Sequence, residues 1–231
     1  GGQASRSLPL LNRVLTIPDQ FTIDEHGRKT RDSSSRYEAI AQTYTQLSAA
    51  EQAGTIVVTG TNASREAINA RIHALLGLEG RGHQCQLLAR HDTTRAERSV
   101  ARYYTVGDIV VPERDYQCGL KRGELYSVTS STRHDRITVE PLKPSPTHAE
   151  PIEIIPKTMS KLSVYHLSRA ELSVGDHVRI TRNDAQNDLV NGQLAKVAAI
   201  DASSVTIEAD GRRVQLSTDR PLHMNYAYTT T

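Results

Sequence analysis

The sequence predicts an α+β chain in which an incomplete α/β layer is interrupted by two small β modules, and three observations carry that prediction. A rhythm of helix, strand, glycine turn and helix runs through about the first 95 residues. An internal repeat with an offset of 68 residues follows it. The chain then closes on the extended run Asn225 to Thr231, whose backbone donors need a sheet.

Along the amino-terminal part, Leu8 to Thr22 is extended in character, with Pro9 and Pro18 breaking any helix, and Asp24-Glu25-His26-Gly27 reads as a turn. Arg31 to Ser35 offers helix caps, after which Tyr37, Ile40, Ala41, Tyr44 and Leu47 recur at spacings of three and four, the pattern of an amphipathic helix. Thr55 to Val58 is a short buried-strand run. Gly60-Thr61-Asn62 follows, then a second helical face of Ala67, Ile68, Ile72, Leu75 and Leu76, ended by Gly77 and Gly80. Either Asn62 or Ser64 is expected to cap that helix. One clear strand makes this a piece of a layer rather than a whole.

After Tyr104 short β-branched runs alternate with turns. Val106-Gly107-Asp108-Ile109-Val110 recurs as Val174-Gly175-Asp176-His177-Val178, Gly123-Glu124-Leu125 as Gly192-Gln193-Leu194, and Ile137-Thr138-Val139-Glu140 as Val205-Thr206-Ile207-Glu208. Three matches in nearly one register imply two copies of one module, each laid out like a small SH3-like barrel of about five strands. A stiff connector holding Pro141, Pro144, Pro146, Pro151 and Pro156 separates them. The expected divisions are 1–98 in the α/β layer, 99–159 and 160–220 for the two modules, and 221–231 as a return strand into the layer.

Composition narrows the function classes. In 231 residues the apolar share is 37% and the charged share 23%, and formal charge is only +2, too small for bulk electrostatics to announce a nucleic-acid binder. Arginine supplies 22 of the 28 basic residues, and its planar fork suits phosphate, carboxylate and base stacking. Mean hydropathy is −0.48 and no apolar run approaches a membrane span, so no membrane insertion is expected. The amino end lacks the charged head and apolar core of a secretory signal. Cys85 and Cys118 are too far apart in sequence for a CxxC motif, and read as free thiols in a reducing compartment.

Chemistry-bearing motifs are sparse. No G-x-x-x-x-G-K-[ST] occurs, so neither a bound nucleotide triphosphate nor hydrolysis is expected, and no catalytic or metal-ligating residue is assigned. Arg90-His91-Asp92 is followed by TTRAER, a helix start capped by Thr93 or Thr94 rather than a metal site. Thr59 to Arg65 lies between strand and helix, where open α/β sheets meet ligands and helix N-termini meet phosphates. Arg65 opposes the helix dipole there, which invites a functional reason. Thr61, Asn62 and Arg65, with Arg182 and Asn183 in the second module, are therefore the candidate DNA-binding residues.

Several blocks occur in one order: TGTNASREAIN (Thr59 to Asn69), ARHDTTRAER with YYTVGD (Ala89 to Asp108), LKRGELYSV (Leu120 to Val128), VGDHVRITRND (Val174 to Asp184), LVNGQ (Leu189 to Gln193) and the closing YAYTTT. Together they resemble the helicase-like interior of conjugative relaxases of the TraI type. The resemblance implies a partial RecA-like layer, from a second helicase domain similar to RecD, carrying inserted SH3-like modules. It also implies a parent protein that nicks DNA and unwinds it, using a divalent metal and ATP with Mg, with no cofactor held by this stretch. Such relaxases carry internal translocation signals of the form G-[ED]-R-[LM]-R-[VF]-T. Gly175, Asp176, His177, Val178, Arg179, Ile180 and Thr181 match it at Gly175, Asp176, Arg179 and Thr181 and depart from it at His177, with Arg182 following.

The expectation is a non-catalytic, monomeric interaction module recognised by the type IV secretion coupling protein, resident in the bacterial donor cytoplasm and exported to the recipient. The alternative is single-stranded DNA binding by part of a helicase domain. On β alternation, Val178 and Ile180 should face a core and Arg179 solvent.

Overall fold

The computed structural model describes residues 17–18, 20–23, 25–91, 93–132, 135–143 and 150–230, which form two compact units. The smaller holds the described residues up to Gly77 together with Tyr228–Thr230; the larger spans Leu78–Ala227.

In the smaller unit an exposed hairpin of β1 (Gln20–Ile23) and β2 (Lys29–Asp32) precedes helix α1 (Ser34–Thr45). Asp32 Oδ1 accepts the Ser34 N–H at 2.8 Å, satisfying a first-turn donor. The expected face of α1 is real, with Ala41 and Tyr44 buried, and it packs along α3. Short α2 (Ala49–Gly54) opens with a capping box in which Ser48 and Glu51 bond each other's backbone. β3 (Val57–Val58) leads into α3 (Asn62–Leu75). The cap of α3 is Thr61, not Asn62 or Ser64: Thr61 alone has the extended backbone a cap requires, and its hydroxyl accepts the Ser64 N–H at 3.1 Å.

β3 pairs in parallel with β15 (Thr229–Thr230), through Thr229 with Val57 and Thr230 with Val58. The closing run is thus divided, since only its last residues reach β3. Met224–Tyr226 forms β14, antiparallel to β10 (His177–Ile180) in the larger unit. Burial explains the division: Met224 is fully enclosed among Val178, Ile180 and their neighbours, while Tyr228 stacks edge-on to Tyr44 at 6.0 Å. Thr231 lies outside the described residues.

The larger unit contains two sheets. One has the strand order β4-β9-β5-β6-β7-β8 and the other β13-β12-β11-β10-β14. The first comprises β4 (His83–Arg90), β5 (Ile109–Pro112), β6 (Tyr126–Ser131), β7 (Ile137–Pro141), β8 (Ile152–Ile154) and β9 (Leu162–Leu172). The second adds β11 (Leu194–Ile200), β12 (Ser204–Ala209) and β13 (Arg212–Ser217) to β10 and β14. Within them β9-β5-β6-β7-β8 and β14-β10-β11-β12-β13 have the same order and are antiparallel throughout. Both carry a register shift at the same place, Val128/Ser130 and Val197/Ala199.

The repeated Gly-Asp turns are equally alike. Thr105 O accepts from Asp108 N, and Thr105 N donates to Asp108 Oδ2 at 2.8 Å; Ser173 and Asp176 make the same pair of bonds, the second at 2.7 Å. Gly107 and Gly175 sit at φ 95° and 104°, a left-handed conformation that only glycine adopts without strain.

Neither sheet is a closed barrel among the described residues, since the outermost strands do not pair back. Each five-stranded set also takes its last strand, β9 or β14, from beyond the limits of 159 and 220 read on the sequence. β4 pairs along its whole length with β9 rather than joining the amino-terminal layer. The reason is two-sided burial: Cys85 and Leu87 enter the core of the second sheet, and Leu88 packs with Ile109, Val111 and Tyr165. α4 (Arg95–Arg98) bears the expected Thr94 cap, with Glu97 completing a capping box.

Candidate nucleic-acid interface

In the smaller unit the parallel strands β3 and β15 end beside the turn Thr59 to Thr61, which opens α3. Thr59 N donates to Thr230 O at 2.9 Å and extends the pairing by one residue. Carboxyl ends of parallel strands meeting a helix N-terminus gather backbone donors and a favourable dipole for an anion. A hydroxyl chain crosses this end: Thr61 Oγ1 donates to Ser64 Oγ at 2.8 Å, and Ser64 Oγ lies 2.8 Å from the Tyr37 hydroxyl. Those bonds, from Ser64 first and Ser33 second, pull the Tyr37 phenol below its ordinary value. Arg36 Nη2 donates to Ser33 Oγ at 2.7 Å, and the Arg71 guanidinium stands 5.6 Å from the Tyr37 ring centre. Arg36, Arg71 and the Ser33, Thr61 and Ser64 hydroxyls thus gather around Tyr37, with Arg71 also 3.8 Å from Glu38 Oε2.

Along α3, Asn62, Arg65 and Asn69 recur at i, i+3 and i+7 and so share one face. Each holds a buried polar atom without a hydrogen-bond partner: Asn62 Oδ1, Arg65 Nε and Asn69 Nδ2. The face adjoins β15, because Thr229 donates its N–H to Asn69 Oδ1 at 2.9 Å and its hydroxyl lies 2.8 Å from Asn69 Oδ1 and 3.2 Å from Arg65 O. Buried orphan polar groups are rare in folded proteins and call for an explanation. The sequence reading named Thr61, Asn62 and Arg65, and did not name Asn69 or Tyr37, which the fold brings beside them. The available signal was Asn69 itself, a polar residue between Ile68 and Ile72 on an apolar face.

Arg182 and Asn183 lie in the larger unit. Arg182 Nη2 pairs with Glu113 Oε2 at 3.0 Å, and Asn183 Oδ1 accepts the Asn191 N–H at 2.7 Å, which ties the loop between β10 and β11. The segment Gly175 to Thr181 is mostly committed to the fold. Gly175 and Asp176 make the turn, Val178 and Ile180 are 0% and 2% exposed in the core, and Thr181 donates its hydroxyl to Leu88 O at 2.6 Å. His177 and Arg179 alternate onto the opposite face, beside Lys196 and Leu194 on β11 and Asn225 on β14. Burial first, and the Lys196 charge second, hold the His177 imidazole below its ordinary pKa.

Among the described residues no cluster of three metal-ligating side chains occurs and no helix is long and apolar enough to cross a membrane. No family model and no curated protein matches the chain. The chain is similar to a solved structure described as "Structural Basis for DNA Unwinding at Forked dsDNA by two coordinating Pif1 helicases", at 14% identity and a TM-score of 0.33 over 87% of its length. It spans 37% of that chain.

Proposed function

We propose that this chain is a non-catalytic, single-stranded DNA-holding part of a relaxase-helicase, and that the start of α3 grips the phosphodiester backbone. The observation that carries the reading is Arg65 in the first turn of α3, beside the helix N-terminus, with its buried Nε donor lacking a hydrogen-bond partner. Phosphate oxygens would accept from the Arg65 guanidinium and the turn amides, contacts that position a strand without reading its sequence. The smaller unit then corresponds to part of a RecA-like layer, and the two sheets of the larger unit to SH3-like modules. Without a phosphate-cradling loop and its lysine the chain itself hydrolyses no ATP. ATP with Mg, and the divalent metal of the nicking reaction, belong to other parts of the parent protein.

The test is anisotropy of a labelled oligothymidylate at several salt concentrations. Wild-type binding should weaken steeply with salt, and Arg65→Gln should reduce both affinity and the salt slope. Unchanged affinity in a folded Arg65→Gln protein overturns the reading.

A second reading, favoured by the half-buried pair His177 and Arg179 on the face of β10 opposite Val178 and Ile180, makes β10 a translocation signal docking on an acidic surface of the type IV secretion coupling protein. The protein would then work in the donor cytoplasm and travel to the recipient as a monomer. Export of a fused reporter, compared between wild type and Arg179→Glu, tests it; undiminished export removes it.

A further inference from the structure

Where β4, β9, β10 and β14 meet in the larger unit, polar side chains gather that neither reading above uses together. The ring of His223 stacks edge-on to Tyr165, with centres 4.8 Å apart at 65°. Three strands are tied at this point: Thr181 N donates to His223 O at 2.9 Å, and the Thr181 hydroxyl reaches Leu88 O. His223 Nδ1 is buried without a hydrogen-bond partner. The charged groups facing the ring are Arg182 and Asp184 after β10 and Arg220 before β14; Arg182, Glu113 and Arg90 face Tyr165.

The acids of this cluster are already occupied. Glu113 accepts from Ser163 Oγ at 2.8 Å and from Arg182, and Asp184 accepts from the Gln186 and Asn187 backbones and from Asn187 Nδ2. Among the described residues Arg90 and Arg220 have no ion-pair partner, and both are exposed. An uncompensated Arg220 near the His223 imidazole, with Arg90 near Tyr165, suits an oxyanion, and a phosphate accepts from guanidinium forks and from a ring N–H alike.

We propose that this seam is a phosphate-binding site, with Arg182, Arg220 and His223 as its ligands and Arg90 adding charge. It goes beyond the α3 reading and does not depend on it. Burial and the Arg182 charge keep the His223 imidazole neutral, its pKa lowered to about 4. A bound phosphate reverses the sign of the local charge, so the imidazole reports occupancy by its own titration.

The experiment follows the His223 ring resonance against pH in the whole chain, alone, with inorganic phosphate and with oligothymidylate. Saturation by phosphate should raise the His223 midpoint by about one pH unit or more. Arg220→Glu should abolish that rise, while Arg213→Glu, also exposed but on the far edge strand β13, should keep it. A rise at far lower concentration of oligothymidylate than of phosphate assigns the site to a nucleic-acid backbone; a rise with phosphate alone assigns it to a free phosphate. No rise with either, or a full rise in Arg220→Glu, overturns the proposal. Loss of oligonucleotide binding in Arg65→Gln with an intact His223 response to phosphate separates this site from the one at α3.

Discussion

Replacing Asp176 with alanine removes the acceptor that closes the Gly-Asp turn of the second module. Asp176 is 0% exposed and Ser173 1%, so the Ser173 N–H loses its 2.7 Å bond in a place water does not reach. A buried backbone donor left without a partner costs about 1–3 kcal/mol. For a unit of this size 1 kcal/mol shifts the midpoint by about 2–4 °C, so a loss near 2 kcal/mol lowers Tm by about 4–8 °C. The first module supplies an internal control: Asp108 makes the same bond, but Thr105 is exposed and its freed N–H can turn to solvent. Asp108→Ala should therefore cost clearly less than Asp176→Ala. Thermal and urea unfolding followed by circular dichroism measures both. Equal losses, or a larger loss for Asp108→Ala, would refute the argument that solvent access at the donor sets the cost.

Acid should weaken the larger unit through His223. With its folded pKa lowered to about 4 and an ordinary value of 6.5, the unfolded chain takes up a proton the fold refuses as pH falls between those values. Stability present above about pH 6.5 then declines towards pH 4, by about 2–3 kcal/mol in all, and His223→Gln should flatten that profile in urea titrations. Gly82→Ala should destabilise by about 1–3 kcal/mol or more, read by urea midpoint, because the new Cβ would lie 2.0 Å from Leu172 O. Asn69→Ala strips Thr229 of its acceptor, so hydrogen exchange at Thr229 and Thr230 should quicken while amides of β12 stay protected.

That the two modules share one layout was legible because the repeat preserves its determinants: glycines at φ 95° and 104°, an aspartate folding back on its own turn, and alternation such as Val178 and Ile180 against His177 and Arg179. What remained hidden was non-local. Whether β4 joins one sheet or another depends on what covers its second face, and Cys85 and Leu87 face a core built from residues about a hundred positions later. The closing run reads as one strand, yet Met224 and Tyr228 are claimed by different cores. At the site, Thr61, Asn62 and Arg65 stand next to one another in sequence and could be found there. Asn69 becomes meaningful only once Thr229, brought back from the other end of the chain, donates to its Oδ1.

The central claim, that the start of α3 holds a nucleic-acid backbone, is tested most directly by backbone amide shifts during titration with oligothymidylate. The account predicts saturable shifts at Thr61, Asn62, Ser64 and Arg65, lost at high salt and in Arg65→Gln. Binding that leaves those four amides unmoved would contradict it.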